Sequence, residues 1–121
     1  MIYTDTDFFL AIIKREDWLK TNAHRLYSKY KNQIYTSVAT IIELLLLCER
    51  YGLDAENVIN ATYKIAKIKE LDREIALLSA YYMKNFKLNV FDAMHAAFCE
   101  NEIISSDDVF DTIGLKRISL R

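Results

Sequence analysis

Several acids in this chain stand where apolar surroundings make them costly. Glu43 interrupts the run Ile41-Ile42-Glu43-Leu44-Leu45-Leu46-Leu47, and Asp92 interrupts Val90-Phe91-Asp92-Ala93-Met94. Asp5 closes the short apolar opening Met1-Ile2-Tyr3-Thr4, and Asp107-Asp108 follow Ile103-Ile104-Ser105-Ser106 in the same way. A carboxylate in apolar surroundings loses hydration that only a partner restores. None of these segments carries a matching basic residue, so one shared cation is the simplest partner for all of them. The constraint on the fold is strong: segments far apart in sequence must bring their acids to one place.

The local patterns supply a way to do so. Pro is absent and Gly occurs only at Gly52 and Gly114, so breakers are few and helices should dominate. Ile2-Tyr3-Thr4 reads as a short strand with Asp5 at its C-terminal end. Phe8, Phe9, Ile12 and Ile13 then recur at helical spacing. A second helix is predicted over about 17–30, with Trp18, Leu19, Ala23, Leu26, Tyr27 and Tyr30 as its apolar stripe. Ile34-Tyr35-Thr36 is the second strand, and Ser37 caps a helix that runs to Tyr51 and stops at Gly52. Asp54 caps the next helix, through about residue 67. A third strand at 68–71, helices over 72–86 and 90–101, and strands at 102–105 and 116–120 complete the chain. Strands alternating with helices argue for a parallel sheet covered on both faces, an α/β fold. In such sheets ligands gather outside the carboxyl ends of the strands, where Asp5 and Asp107 would lie.

Length and composition narrow the classes. At 121 residues the chain is expected to form one domain over 1–121. An apolar share of 52% with 27% charged residues excludes disorder. The net charge of −1 means that a nucleic-acid partner must be held by local patches. Cys48 and Cys99 lack CxxC or CxxH spacing and read as buried, reduced thiols. No signal peptide is visible and no apolar run approaches the roughly 20 residues of a membrane span, so a soluble cytoplasmic protein is expected.

Each acid also has a plainer reading. Glu43 could fill an exposed slot on its helix, since Glu usually stays in water. Asp92 and Asp7 both suit a helix N-cap, and Asp107 and Asp108 suit the turn after a strand. His95 shares a face with Asp92 three residues earlier; a packed residue is its plainer role and a metal ligand the alternative. His24 reads as surface. Lys14, Arg15, Lys20, Lys116, Arg117 and Arg121 read as solvated charge. No phosphate-cradling glycine loop, HExxH or GxSxG is present.

Taken in order, these segments resemble the PIN-domain ribonuclease family, and within it the VapC-type toxins of toxin–antitoxin pairs. The resemblance rests on Tyr3-Thr4-Asp5-Thr6-Asp7, on Thr36-Ser37 with Glu43-Leu44, on Phe91-Asp92-Ala93-Met94-His95-Ala96-Ala97, and on Ile104-Ser105-Ser106-Asp107-Asp108-Val109-Phe110. It covers the whole chain. Asp7 stands where Asn or Ser is common, and Val109 where a second Asp is frequent. The resemblance implies a three-layer α/β/α sandwich with a short, mainly parallel sheet, and Mg²⁺- or Mn²⁺-dependent endoribonuclease activity. It assigns catalysis and metal binding to Asp5, Glu43, Asp92 and Asp107, with Asp108 as a further contributor to the metal. Thr6, Ser37 and Ser105 would be accessory hydroxyls positioning water or phosphate. RNA guided by the basic residues, a small antitoxin and a second copy of the chain are the implied partners. Clustered carboxylates without a His or Cys ligand set suit such hard cations.

Three rivals compete with this reading. A catalytically inactive scaffold of the same fold would keep the acids without the chemistry. A phospho-acceptor signalling domain also gathers acids at a sheet edge, but it usually needs an acidic pair after the first strand and a late Lys. A helical interaction protein would leave the acids unexplained.

Overall fold

The computed structural model describes residues 1–14 and 17–121. Strand β1 (Ile2–Thr4) leads into helix α1 (Thr6–Ile13), followed by α2 (Lys20–Tyr30) and β2 (Ile34–Ser37). Helices α3 (Val38–Tyr51) and α4 (Ala55–Ile65) precede β3 (Lys67–Lys69). Helices α5 (Arg73–Phe86) and α6 (Val90–Phe98) then lead to β4 (Glu102–Ser105) and, after a 3₁₀ turn at Asp108–Ile113, β5 (Lys116–Ser119). The sheet order is β3-β2-β1-β4-β5, and every pairing is parallel. No helix among the described residues is long and apolar enough to cross a membrane.

Alternation along three short strands builds both layers of core, because successive strand side chains point to opposite faces. Ile2, Ile34 and Ile104 face one way and pack with Phe8, Phe9, Ala23, Leu26, Leu44, Cys48 and Val58 from α1–α4. Tyr3, Tyr35 and Ile103 face the other way and pack with Ile75 of α5 and Ala93, Ala96, Ala97 and Phe98 of α6. The result is a three-layer α/β/α sandwich around a parallel sheet.

The caps follow the sequence closely. Ser37, Asp54 and Asp72 each accept a hydrogen bond from a backbone N–H in the first turn of α3, α4 and α5. Gly52 ends α3 at φ 64°, a left-handed conformation that glycine enters without steric cost.

Several boundaries differ from expectation. Helix α2 begins at Lys20, so Trp18 falls in the preceding turn and leaves the apolar stripe; it is 74% exposed, with the Arg121 guanidinium 5.7 Å from its ring centre. Lys20 is not free surface charge: its Nζ donates to the carbonyls of Ile12 (2.8 Å) and Lys14 (2.6 Å), satisfying acceptors at the end of α1. Helix α4 stops at Ile65 because Lys67–Lys69 pairs with β2 as the edge strand. Helix α6 stops at Phe98, where Cys99 N–H closes onto the His95 carbonyl before β4 begins. Arg15 lies outside the described residues.

Burial along α3 sets a direct check. Leu44 is fully buried, whereas Leu45 is 46% exposed. Leu44→Ala is expected to cost about 2–5 kcal/mol in urea unfolding, and Leu45→Ala clearly less. Equal losses would show that α3 presents a different face to the core.

Candidate metal centre

Strand order reverses around β1. The chain adds β2 and β3 on one side of it, then returns to place β4 and β5 on the other. The crevice outside the carboxyl ends of β1 and β4 is therefore the switch point of the sheet. Asp5 follows β1 directly, held there by its N–H bond to the Ile104 carbonyl (3.0 Å). Its Oδ1 accepts from Thr6 N–H (2.7 Å), capping α1, and its Oδ2 accepts from the Ser105 hydroxyl at the end of β4 (2.6 Å).

Glu43 reaches the same place from α3. Its Oε1 accepts a short hydrogen bond from the Thr6 hydroxyl and lies 2.9 Å from His95 Nε2. That nitrogen is also 3.3 Å from Asp5 Oδ1. One polar atom each from Asp5, Glu43 and His95 thus fall within 4.8 Å of one another.

A cavity of about 240 Å³ opens beside this trio, and Asp7, Asp92 and Asp107 line it with Asp5, Thr6 and Glu43. Leu10 and Leu47 supply apolar wall. Asp92 stands in the first turn of α6, whose cap is Asn89, not Asp92: the Asn89 side chain accepts from Asp92 N–H (2.9 Å). Asp107 caps the 3₁₀ turn through Val109 N–H (3.0 Å). Asp7 is not a cap either; its Oδ2 accepts from both the N–H and hydroxyl of Ser106, while its buried Oδ1 has no hydrogen-bond partner.

Not every expected residue is in the cavity wall. Asp108 is exposed and does not line it. Ser37 is fully buried and caps α3, with its hydroxyl bonded to Tyr3. Ser105 is fully buried, and its hydroxyl donates to Asp5. Among the basic residues, Arg117 makes a two-pronged pair with Asp111, and Lys116 pairs with Glu102 (3.7 Å).

Crowding shows in the titration of these groups. Burial, then the nearby carboxylates of Asp107 and Asp5, push Asp92 up to about 6. Burial and Asp5 push Asp7 to about 7. Burial works to raise Glu43 too, but hydrogen bonds from His95 and Thr6 outweigh it and hold Glu43 below its usual range. Burial opposes charge on His95, yet Tyr3, Asp5 and Glu43 together raise its pKa well above the ordinary value.

The sequence matches the PIN domain family profile over residues 2–115. The chain belongs to the PIN domain family. Solved structures share the fold of this PIN domain at low identity. A toxin–antitoxin complex from Klebsiella pneumoniae superimposes with TM-score 0.80 at 16% identity, covering 100% of this chain and 98% of that one. VapC20 of Mycobacterium tuberculosis, described as a sarcin-ricin loop-cleaving toxin, gives TM-score 0.80 at 18% identity, with 95% and 96% covered. FitAcB of Neisseria gonorrhoeae gives 0.77 at 17%, with 99% and 98% covered. No curated protein matches in sequence.

The residues of this PIN domain fit a divalent cation. Among the described residues, no Lys or Arg pairs with Asp5, Asp7, Glu43, Asp92 or Asp107. The donors are oxygens with one imidazole, and neither cysteine lines the cavity. That set suits a hard, oxygen-preferring ion.

Asp92 offers a metal-free check. Its folded pKa lies above the ordinary 3.8, at about 6, so folding favours its protonated form. The stability it contributes is present below about 3.8 and lost as pH rises towards 6. In EDTA, Asp92→Asn is therefore expected to melt above the wild type at pH 7 and level with it below about pH 4. A lower melting temperature at pH 7 would instead give Asp92 a structural role.

Proposed function

We propose that this PIN domain is a metal-dependent endoribonuclease that hydrolyses RNA phosphodiester bonds, the toxin of a toxin–antitoxin pair. One observation carries the reading: five carboxylates converge on one cavity at the switch point of the sheet, without a Lys or Arg among the described residues to pair them. Asp5, Glu43, Asp92 and Asp107 would hold Mg²⁺ or Mn²⁺, directly or through water. A bound divalent cation supplies a polarised phosphoryl oxygen and a more acidic water.

The protein's own share is alignment. Asp5 is fixed by Thr6, Ser105 and His95, and Glu43 by Thr6 and His95, so both carboxylates are set before substrate arrives. Asp92 and Asp107 approach from α6 and the β4 end, across the cavity wall. Asp92, ionised only above about pH 6 without a cation, couples binding to proton release. Thr6 and Ser105 act through the carboxylates they bond.

Protein partners fit the surface. Ile42, Leu45 and Leu46 are exposed on the helix that carries Glu43, and Leu77, Leu78, Tyr81, Met83 and Phe86 are exposed on α5. Apolar surface of this kind marks sites of association. A small antitoxin over the site and a second copy of this chain are the partners we assign. Cation binding at a cytoplasmic site completes the reading.

A second reading, an inactive scaffold, has one observation in its favour: His95 bridges Asp5 and Glu43 and supplies a positive charge without a metal. One imidazolium does not balance five carboxylates, and we rank it second.

The test is cleavage of a pool of structured RNAs by the purified protein with Mg²⁺, Mn²⁺ or EDTA. Cleavage is expected with metal, to vanish in EDTA, and to fall by about 100-fold or more in Asp5→Asn. Cleavage that survives EDTA would defeat the mechanism. No cleavage and no calorimetric metal binding would put the scaffold first.

A further inference from the structure

A line of hydrogen bonds leaves the site and runs through the core. His95 Nδ1 lies 2.7 Å from the Tyr3 hydroxyl, which lies 2.7 Å from the Ser37 hydroxyl. Ser37 in turn accepts from Ala39 N–H, as cap of α3. At the other end, His95 Nε2 meets Glu43, also on α3. The line therefore begins and ends on one helix, passing through β1 and α6 between. Every interior member is sealed from water: Tyr3 and Ser37 are 0% exposed and His95 is 1% exposed.

Tyr3 is also held as a ring. It stacks on Phe98 (centroids 6.5 Å, 4° between planes) and meets the Tyr35 edge at 5.3 Å. Its hydroxyl can point only where the chain allows. No part of the catalytic proposal uses this phenol, and an aromatic residue filling the core would need none.

We propose that Tyr3 and His95 are positioning residues: Tyr3 fixes the imidazole so that Nε2–H is aimed at Glu43, which sets that carboxylate for the metal while His95 itself stays outside the ligand set. Both the imidazolium and the neutral Nε2–H form satisfy this geometry, with the Tyr3 hydroxyl accepting in the first and donating in the second. The remaining form, with its proton on Nδ1, would free Nε2 as a ligand and leave Glu43 with the Thr6 hydroxyl as its one donor. Carboxylate ligands are commonly oriented by outer hydrogen bonds of this kind, whose loss weakens metal binding 10–100-fold.

The inference rests on the metal-site reading above, and two measurements test it. The first is calorimetric titration of Mn²⁺ into wild type, Tyr3→Phe, His95→Leu and His95→Gln. Tyr3→Phe and His95→Leu are expected to weaken binding by about tenfold or more, and His95→Gln, whose amide can donate towards Glu43, to recover most of it. The second is ¹⁵N NMR of the wild-type His95 ring with and without Mg²⁺. Nε2 is expected to carry a proton in both. Loss of that proton on adding Mg²⁺ would make His95 a ligand and overturn the inference, as would unchanged Mn²⁺ affinity in the variants. Failure of the wild type to bind Mn²⁺ would defeat the metal site itself, and this inference with it. Should His95→Leu not fold, Tyr3→Phe and the wild-type ring decide.

Discussion

Like charges drawn into one cavity repel, and most of what surrounds this cavity answers that repulsion. Asp5, Asp7, Glu43, Asp92 and Asp107 come from four separate places in the chain, with Asp5 and Asp7 both at the start of α1, so no single element bears the whole cost. Each is held by short-range donors: the backbone N–H groups of Thr6, Ser106 and Val109, the hydroxyls of Thr6, Ser105 and Ser106, the side-chain amide of Asn89 at Asp92, and the imidazole of His95. Hydrogen bonds to an ionised oxygen are among the stronger ones a protein makes. Where they are plentiful, as at Glu43, the carboxylate stays acidic; where burial and neighbouring acids prevail, as at Asp92 and Asp7, it drifts towards neutrality.

The parallel sheet makes this gathering geometrically cheap. Parallel strands send all their carboxyl ends to one edge, and a switch in strand order leaves a crevice between β1 and β4. Helix α3 then projects Glu43 across that crevice, and α6 delivers Asp92 and His95 from the opposite layer. Alternating Ile2/Tyr3 and Ile103/Ile104 anchors both layers to the central strand β1 and its neighbour β4.

Much of this was legible in the residues. Short apolar runs flanked by Ser, Asp and Gly gave five strands and six helices near their observed bounds, because caps and breakers act locally. That acids sat in apolar runs pointed to Asp5, Glu43, Asp92 and Asp107, which line one cavity. What was hidden depends on contacts between distant segments. Trp18 looks like core by spacing, yet where α2 starts is decided outside its own pattern. Asp7 looks like a cap until Ser106, just past the end of β4, is brought against it. His95 carried a signal, its place one turn after Asp92, but only the fold shows that it faces Glu43. Tyr3 carried none, since a tyrosine in a buried strand reads as bulk.

The open edges of the sheet carry charge of one sign. Strand β3 ends the sheet on one side with Lys67 and Lys69, and β5 ends it on the other with Lys116 and Arg117. Adding a further strand at either edge would set backbone partners against basic side chains, a common guard against fibre-like growth. Basic residues on both edge strands thus disfavour extension of the sheet, while exposed apolar side chains gather on the outer helices α3 and α5.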